Sequence, residues 1–334
     1  TRAMTWAGGT LDLNNKTFSG FVSLTVLATT NTFTLNNTGG TGYSTTIAIT
    51  HTSGGLTLGT NLTTTGASGY TFTAGTITLN NYTLTTTIFV SNNTNVRVIN
   101  FGTSGNITCN GSGASLFNMA TVSANFTSTG NAVVNIDNNT ATASTVACVY
   151  NTLSFNFISG TYTLTFLGAG GNAKNVNFTG FNGTLAATGI CAVFGNLTFS
   201  SGMTLTTSAS SMGLYGTNIT TNGKSIPFPI TINGNVKLLD AFSLATVTTN
   251  LSHISGTFDL NGLTATVGTY SASGGTSANM TFNGGTLLVT GSGATAFNNT
   301  APGTYNTTAG TGTGYIQLNS TTAKTFVGGG FTYN

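Results

Sequence analysis

The sequence predicts an all-β chain, and within that class a β-solenoid (parallel β-helix-like) with coils of about 20–24 residues. Three observations point there. Thr, Gly, Asn and Ser dominate, at 74, 46, 40 and 28 of 334 residues, and Glu is absent. Short words alternating an apolar with a small polar residue recur along the chain. No stretch shows the apolar spacing of an amphipathic helix over a useful length. A second all-β architecture, tandem β-sandwich domains with strands every ~8–12 residues, stays open at this stage.

The strand words come in order as "GTLDLN" from residue 9, "NTFTLN" from 31, "GLTLGT" from 55, "GTITLN" from 75 and "NVRVIN" from 95. Their starts lie 20–24 residues apart, which is the length of a coil. Further along stand "VNFTG" (176–180), "GNLTFS" (195–200), "GMTLTT" (202–207), "ITING" (230–234), "NMTFNG" (279–284) and "GYIQLN" (314–319). The period of two puts the apolar side chains of each word on one face of a strand. Gly, Asn-Asn, Asn-Gly and Ser-Gly separate the words and supply the positive φ that turns need. Pro occurs only at 227, 229 and 302, so backbone donors stay free for pairing. Identical polar side chains on successive coils can also stack in ladders.

A longer repeat overlies the short one. "GTITLNNYTLT" (75–85) returns as "GTFDLNGLTAT" (256–266) and is anticipated by "GTLDLNNKTFS" (9–19). Aligning 75–118 with 256–298 sets Gly75 and Asn80 over Gly256 and Asn261, as expected turn formers. It also sets Phe101 and Phe117 over Phe282 and Phe297, as expected core plugs. The organisation this implies is a partial unit at 1–74, a full super-repeat at 75–255 and the start of a second at 256–334, in one elongated rod. The first copy continues past the point where the second stops, so the sequence is expected to be cut from a longer chain.

Composition also narrows the chemistry. Charged residues are 3% of the chain, against roughly 25% in ordinary domains. The seven Lys and Arg never cluster, so no basic stripe for nucleic acid is expected. No apolar run reaches the ~20 residues of a membrane span. Asp12, Asp137, Asp240 and Asp259 are the whole carboxylate supply, too thin and too scattered for a glycosidase pair, and no enzyme is expected. Asp240, beside Lys237, reads as a surface pair or turn residue. His51 and His253 have no neighbouring ligands and read as turn or surface residues, and no metal or cofactor is expected. "GAGGN" (168–172) and "GSG" (111–113, 291–293) lack the Lys-Ser/Thr of a phosphate loop. Cys109, Cys148 and Cys191 sit in apolar words and read as core thiols. So few charges predict little response to salt or pH.

Eighteen Asn-x-Ser/Thr sites are candidate N-glycosylation positions: Asn15, Asn36, Asn61, Asn81, Asn92, Asn106, Asn110, Asn125, Asn138, Asn177, Asn182, Asn196, Asn218, Asn250, Asn279, Asn298, Asn306 and Asn319. Strand alternation alone would place Asn and Thr two apart, so the motif does not establish a modification. A nearly uncharged β-rich rod nevertheless gains hydration from any sugar it carries. Trp6, Tyr43, Tyr70 and Tyr215 are candidate sugar platforms for a carbohydrate-binding alternative.

The phrases "GTLDLNNKTFSG", "NVNFTGFNGTL", "GNLTFSSGMTLT", "TTNGKSI", "GTFDLNGLTATVGTYSASGG" and "VTGSGATAFN" resemble the repeat units of Thr/Gly/Asn-rich fibre proteins of aquatic bacteriophages and bacteria. The resemblance implies a non-enzymatic, self-associating β-fibre on a virion, a cell surface or otherwise outside the cell. It supplies no catalytic residues. The partners it implies are further copies of the chain and, in the alternative reading, surface glycans bound by an adhesin or host-recognition fibre.

Overall fold

The computed structural model describes residues 3–12, 14–15, 23–26, 32–38, 43–45, 48–139, 142–166, 170–186, 191–207, 210–245, 248–272, 277–291, 295–300, 305–306, 313–319 and 323–329. The described secondary structure is all β-strand, and every strand pairing is parallel and joins one coil to the next. Two compact units divide the chain, Thr1–Leu167 and Gly168–Asn334. Each is a β-solenoid. A sandwich would require antiparallel hairpins between sequence neighbours, so that alternative is set aside.

In the first unit each coil contributes up to three short strands, and like strands stack into three parallel ladders. The first ladder runs Ala3–Trp6, Ser23–Val26, Ala48–His51, Tyr70–Phe72, Phe89–Val90, Ser115–Met119, Ala143–Cys148 and Thr163–Phe166. The second runs Gly9–Asp12, Thr32–Asn36, Gly55–Leu58, Gly75–Thr78, Arg97–Asn100 and Phe126–Thr129. The third runs Tyr43–Thr45, Leu62–Thr64, Thr83–Thr86, Asn106–Cys109, Val133–Asp137 and Ser154–Ser159. Alternation does the sorting. Leu84, Ile107, Val134 and Phe155 share one inward register and are buried, while Thr85, Thr108, Asn135 and Asn156 between them face outward. Ladder contacts recur at 22 residues on the short coils and stretch to 29 where a loop is inserted before Phe126–Thr129.

The second unit repeats the plan. Its second ladder passes through Val176–Asn177, Leu197–Thr198, Thr217–Thr220, Val236–Leu238, the end of Asn250–Asp259 and Ser277–Thr281. Asn250–Asp259 is long because it runs straight through a corner. Its first residues pair with Ile230–Asn233 and its last with Val236–Leu238, so one strand serves two ladders.

Corners are built from the turn chemistry the words carry. Asn80 and Asn81 both have positive φ (50° and 69°), and the Tyr82 N–H donates to the Leu79 carbonyl at 2.9 Å. Asn261-Gly262 (53° and 77°) does the same between Leu260 and Leu263. Two left-handed residues under an i to i+3 hydrogen bond form a type I′ turn, and Asn and Gly tolerate that region best. Gly75 has φ 101°, and a Cβ there would lie 2.1 Å from the Gly54 carbonyl oxygen of the coil below. Gly256 repeats this against Gly234, at φ 84° and 2.3 Å. Coils that stack backbone on backbone at a corner leave no room for a side chain.

The interior is a column of stacked rings and aliphatic chains. Phe101, Phe117, Phe282 and Phe297 are fully buried. Tyr70, Phe89 and Phe117 stack one per coil at 5.8 and 5.3 Å, nearly parallel; Tyr270 and Phe297 repeat the column at 5.0 Å, and Phe326, itself exposed, stacks on its end at 4.6 Å. In-register parallel pairing brings identical side-chain types face to face, which favours this stacking. Cys109, Cys148 and Cys191 are free thiols inside the core, and burial pushes Cys148 and Cys191 up to about 12, so they behave as small hydrophobes.

Candidate functional site

Three constellations stand out: a buried pair that occurs twice, a buried guanidinium and an open polar groove. The pair is His51 with Tyr70, and again His253 with Tyr270. Both histidines are wholly buried, which corrects their reading as turn or surface residues. His51 Nδ1 lies 3.1 Å from the Tyr70 hydroxyl and Nε2 3.2 Å from the Gly54 carbonyl. For His253 the distances are 2.8 Å to Tyr270 and 3.1 Å to Gly256. A carbonyl only accepts, so Nε2 carries a proton, and because burial disfavours the doubly protonated cation, Nδ1 is left to accept from the tyrosine hydroxyl. The ring is therefore neutral. Burial pushes His51 down, and pushes His253 down to about 4. Tyr70 is buried in this pair, so it is no sugar platform.

The sequence carried a signal for these pairs that repeat alignment obscured. "HTSG" at 51–54 and "HISG" at 253–256 share His-x-Ser-Gly, each followed one coil later by the tyrosine. The alignment that sets Gly256 over Gly75 is one coil away from the one that sets it over Gly54.

Arg97 is fully buried on the second ladder of the first unit. Nε donates to the Asn95 carbonyl at 3.1 Å, Nη1 to the Ser91 carbonyl and, at 3.0 Å, to the Ser91 hydroxyl, and Nη2 to the Tyr150 hydroxyl at 3.0 Å. Tyr150 passes its own proton to the Thr121 carbonyl at 2.8 Å. The guanidinium also faces the rings of Phe126 and Tyr150, at 5.7 and 6.0 Å. Carbonyls, hydroxyls and ring faces thus take the place of a carboxylate.

The four carboxylates act as coil-corner acceptors. Asp12 takes the N–H groups of Asn14 and Thr38 together with the Thr38 hydroxyl, which holds its carboxyl below the usual range. Asp240 takes the N–H groups of Thr221 (2.7 Å) and Asn222 (2.6 Å) in the preceding coil, which makes it a turn residue. Asp259 accepts from the Asn261 N–H and the Asn283 amide, and Asp137 from the Ser159 hydroxyl. Among the described residues no group of three or more His, Cys, Asp and Glu side chains could hold a metal ion.

The groove, of about 460 Å³, opens on the second ladder of the second unit. Asn196, Asn218, Lys237 and Asp259 fall in one outward row, because Leu197 pairs with Ile219, Asn218 with Lys237 and Lys237 with Asp259. Gly216, Asn235 and Thr257 line it beside that row. In sequence these residues lie some twenty apart, and only the coil brings them together.

Of the eighteen sequon asparagines, Asn138 is buried at 1% exposure and is closed to a transferase acting on the folded chain. Asn36, Asn106, Asn279 and Asn298 are half-buried, the Asn306 side chain lies outside the described residues, and the other twelve are exposed. Among the candidate sugar platforms, Trp6 packs half-buried against Phe33 at 5.2 Å, and the Tyr43 side chain lies outside the described residues. Tyr215 is exposed and stacks on Phe194 at 4.6 Å. No protein-family model, curated protein or solved structure matches the chain.

Proposed function

We propose that the chain is a structural, non-enzymatic subunit of a self-associating β-fibre that works outside the cell or on a virion, as the likeness to Thr/Gly/Asn-rich fibre repeats implies. The observation that carries this reading is the parallel coil-to-coil pairing of the described strands within each unit, backed by ring columns and side-chain ladders that need almost no charge. Parallel pairing along a coil axis lays backbone hydrogen bonds in the direction a fibre is pulled. The neutral Thr and Asn exterior hydrates the surface without a charge pattern that salt could screen.

Negative-stain imaging of purified chain at rising concentration tests this. Regular filaments of constant width are the expected result. Monodisperse single particles at every concentration would overturn it.

A further inference from the structure

On the third ladder of the first unit the outward amides are spent on one another. Asn135 donates to the Asn106 side chain at 3.1 Å, and Asn156 to the Asn135 side chain at 3.3 Å, coil to coil. The groove row behaves differently. The side-chain amides of Asn196 and Asn218 and the Lys237 ammonium have no hydrogen-bond partner among the described residues. Asp259 is held through Oδ1 by the Asn261 N–H of its own corner and the Asn283 amide of the next coil, which leaves Oδ2 open. Across the groove the Asn235 side chain accepts the Thr257 N–H at 3.0 Å, and its amide protons stay free. Gly216 adds no side chain, so the wall there is low.

We propose that this groove binds an extended neutral oligosaccharide lying along the coil axis, one sugar to a coil. Each coil offers one unspent polar group, and coils repeat every ~4.8 Å, close to the length of one pyranose in an extended glycan. The row mixes donors and acceptors, with one cation beside one anion. That suits hydroxyl groups, which both donate and accept, and disfavours a polyanion, which needs several cations. A peptide adding as a strand needs an open sheet edge, whereas the floor here is a closed ladder. The Tyr215 ring lies back over Gly213, where a Cβ would meet it at 3.0 Å, so it covers the strand Met212–Leu214 and stands outside the groove. The inference does not depend on fibre formation, which imaging tests separately.

The test is calorimetric titration of the full chain with neutral β-1,4-linked hexasaccharides of glucose, mannose and N-acetylglucosamine. The matching disaccharides and polygalacturonate run alongside. One neutral hexasaccharide should bind saturably, and its disaccharide at least about tenfold more weakly. Asn218→Ala and Lys237→Ala should each cost about tenfold, the worth of one or two hydrogen bonds. Tyr215→Ala should bind within about twofold of the parent, and thermal melts should show all three variants folded. Four results would overturn the assignment: no binding of any neutral hexasaccharide, binding untouched by the groove variants, preference for polygalacturonate, or an intact mass showing that Asn196 or Asn218 already carries a covalent sugar in the groove.

Discussion

A single buried imidazole shows how the chain departs from the salt- and pH-indifference its composition implies. His253 must stay neutral to accept from Tyr270, and its pKa falls from an ordinary 6.5 to about 4 on burial. The unfolded chain therefore binds a proton between those values that the folded chain does not. Stability falls as pH drops through that window and levels off below it. The cost is roughly 3 kcal/mol from this one residue. Urea midpoints at pH 7.5 and pH 4 should differ accordingly; His51, lowered in the same direction, adds to the slope, so His253→Gln should remove its own share and His51→Gln with His253→Gln most of the rest. An unchanged slope in the double variant would place the titrating group elsewhere. The facing groups are the Tyr270 hydroxyl and the Phe258 ring, neither charged, and the backbone hydrogen bonds at Gly256 and Ser255 offset only part of the desolvation penalty.

The lengthened coils of the first unit raise a problem for strands and loops alike: inserted backbone must find partners. Arg97 answers it by reaching from its strand to Ser91, Asn95 and, through Tyr150, Thr121. Its burial without a carboxylate makes the guanidinium a donor hub whose loss leaves a cavity and orphaned acceptors. Arg97→Ala should lower stability by about 3 kcal/mol. Arg97→Met, which fills the space and removes the desolvated charge, should cost less than half of that. Equilibrium unfolding with an unchanged m-value is the readout. Equal losses in the two variants would show that the hydrogen bonds, not the volume, carry the effect.

At the scale of the whole molecule, 11 formally charged side chains in 334 residues leave little for salt to screen. The melting temperature should shift by no more than about 2 °C between low and high sodium chloride. A larger shift would mean that the few charges act in concert. The same neutrality removes the repulsion that keeps most proteins apart, which accords with a chain whose proposed work is to associate.

Fold class was legible because strand alternation and coil spacing are local properties: "GTITLNNYTLT" states a strand, a left-handed corner and a second strand without reference to anything distant. The glycine at each backbone-on-backbone corner was legible for the same reason. Which residues meet was not. Coil lengths vary from about twenty to 29 residues, and a slip of one coil preserves every alternation while exchanging every neighbour. That is why His51 looked solitary although Tyr70 lies one coil away, and why Asn196, Asn218, Lys237 and Asp259 gave no sign of sharing a groove. The words determined what each coil is made of, and the stacking register decided what it touches.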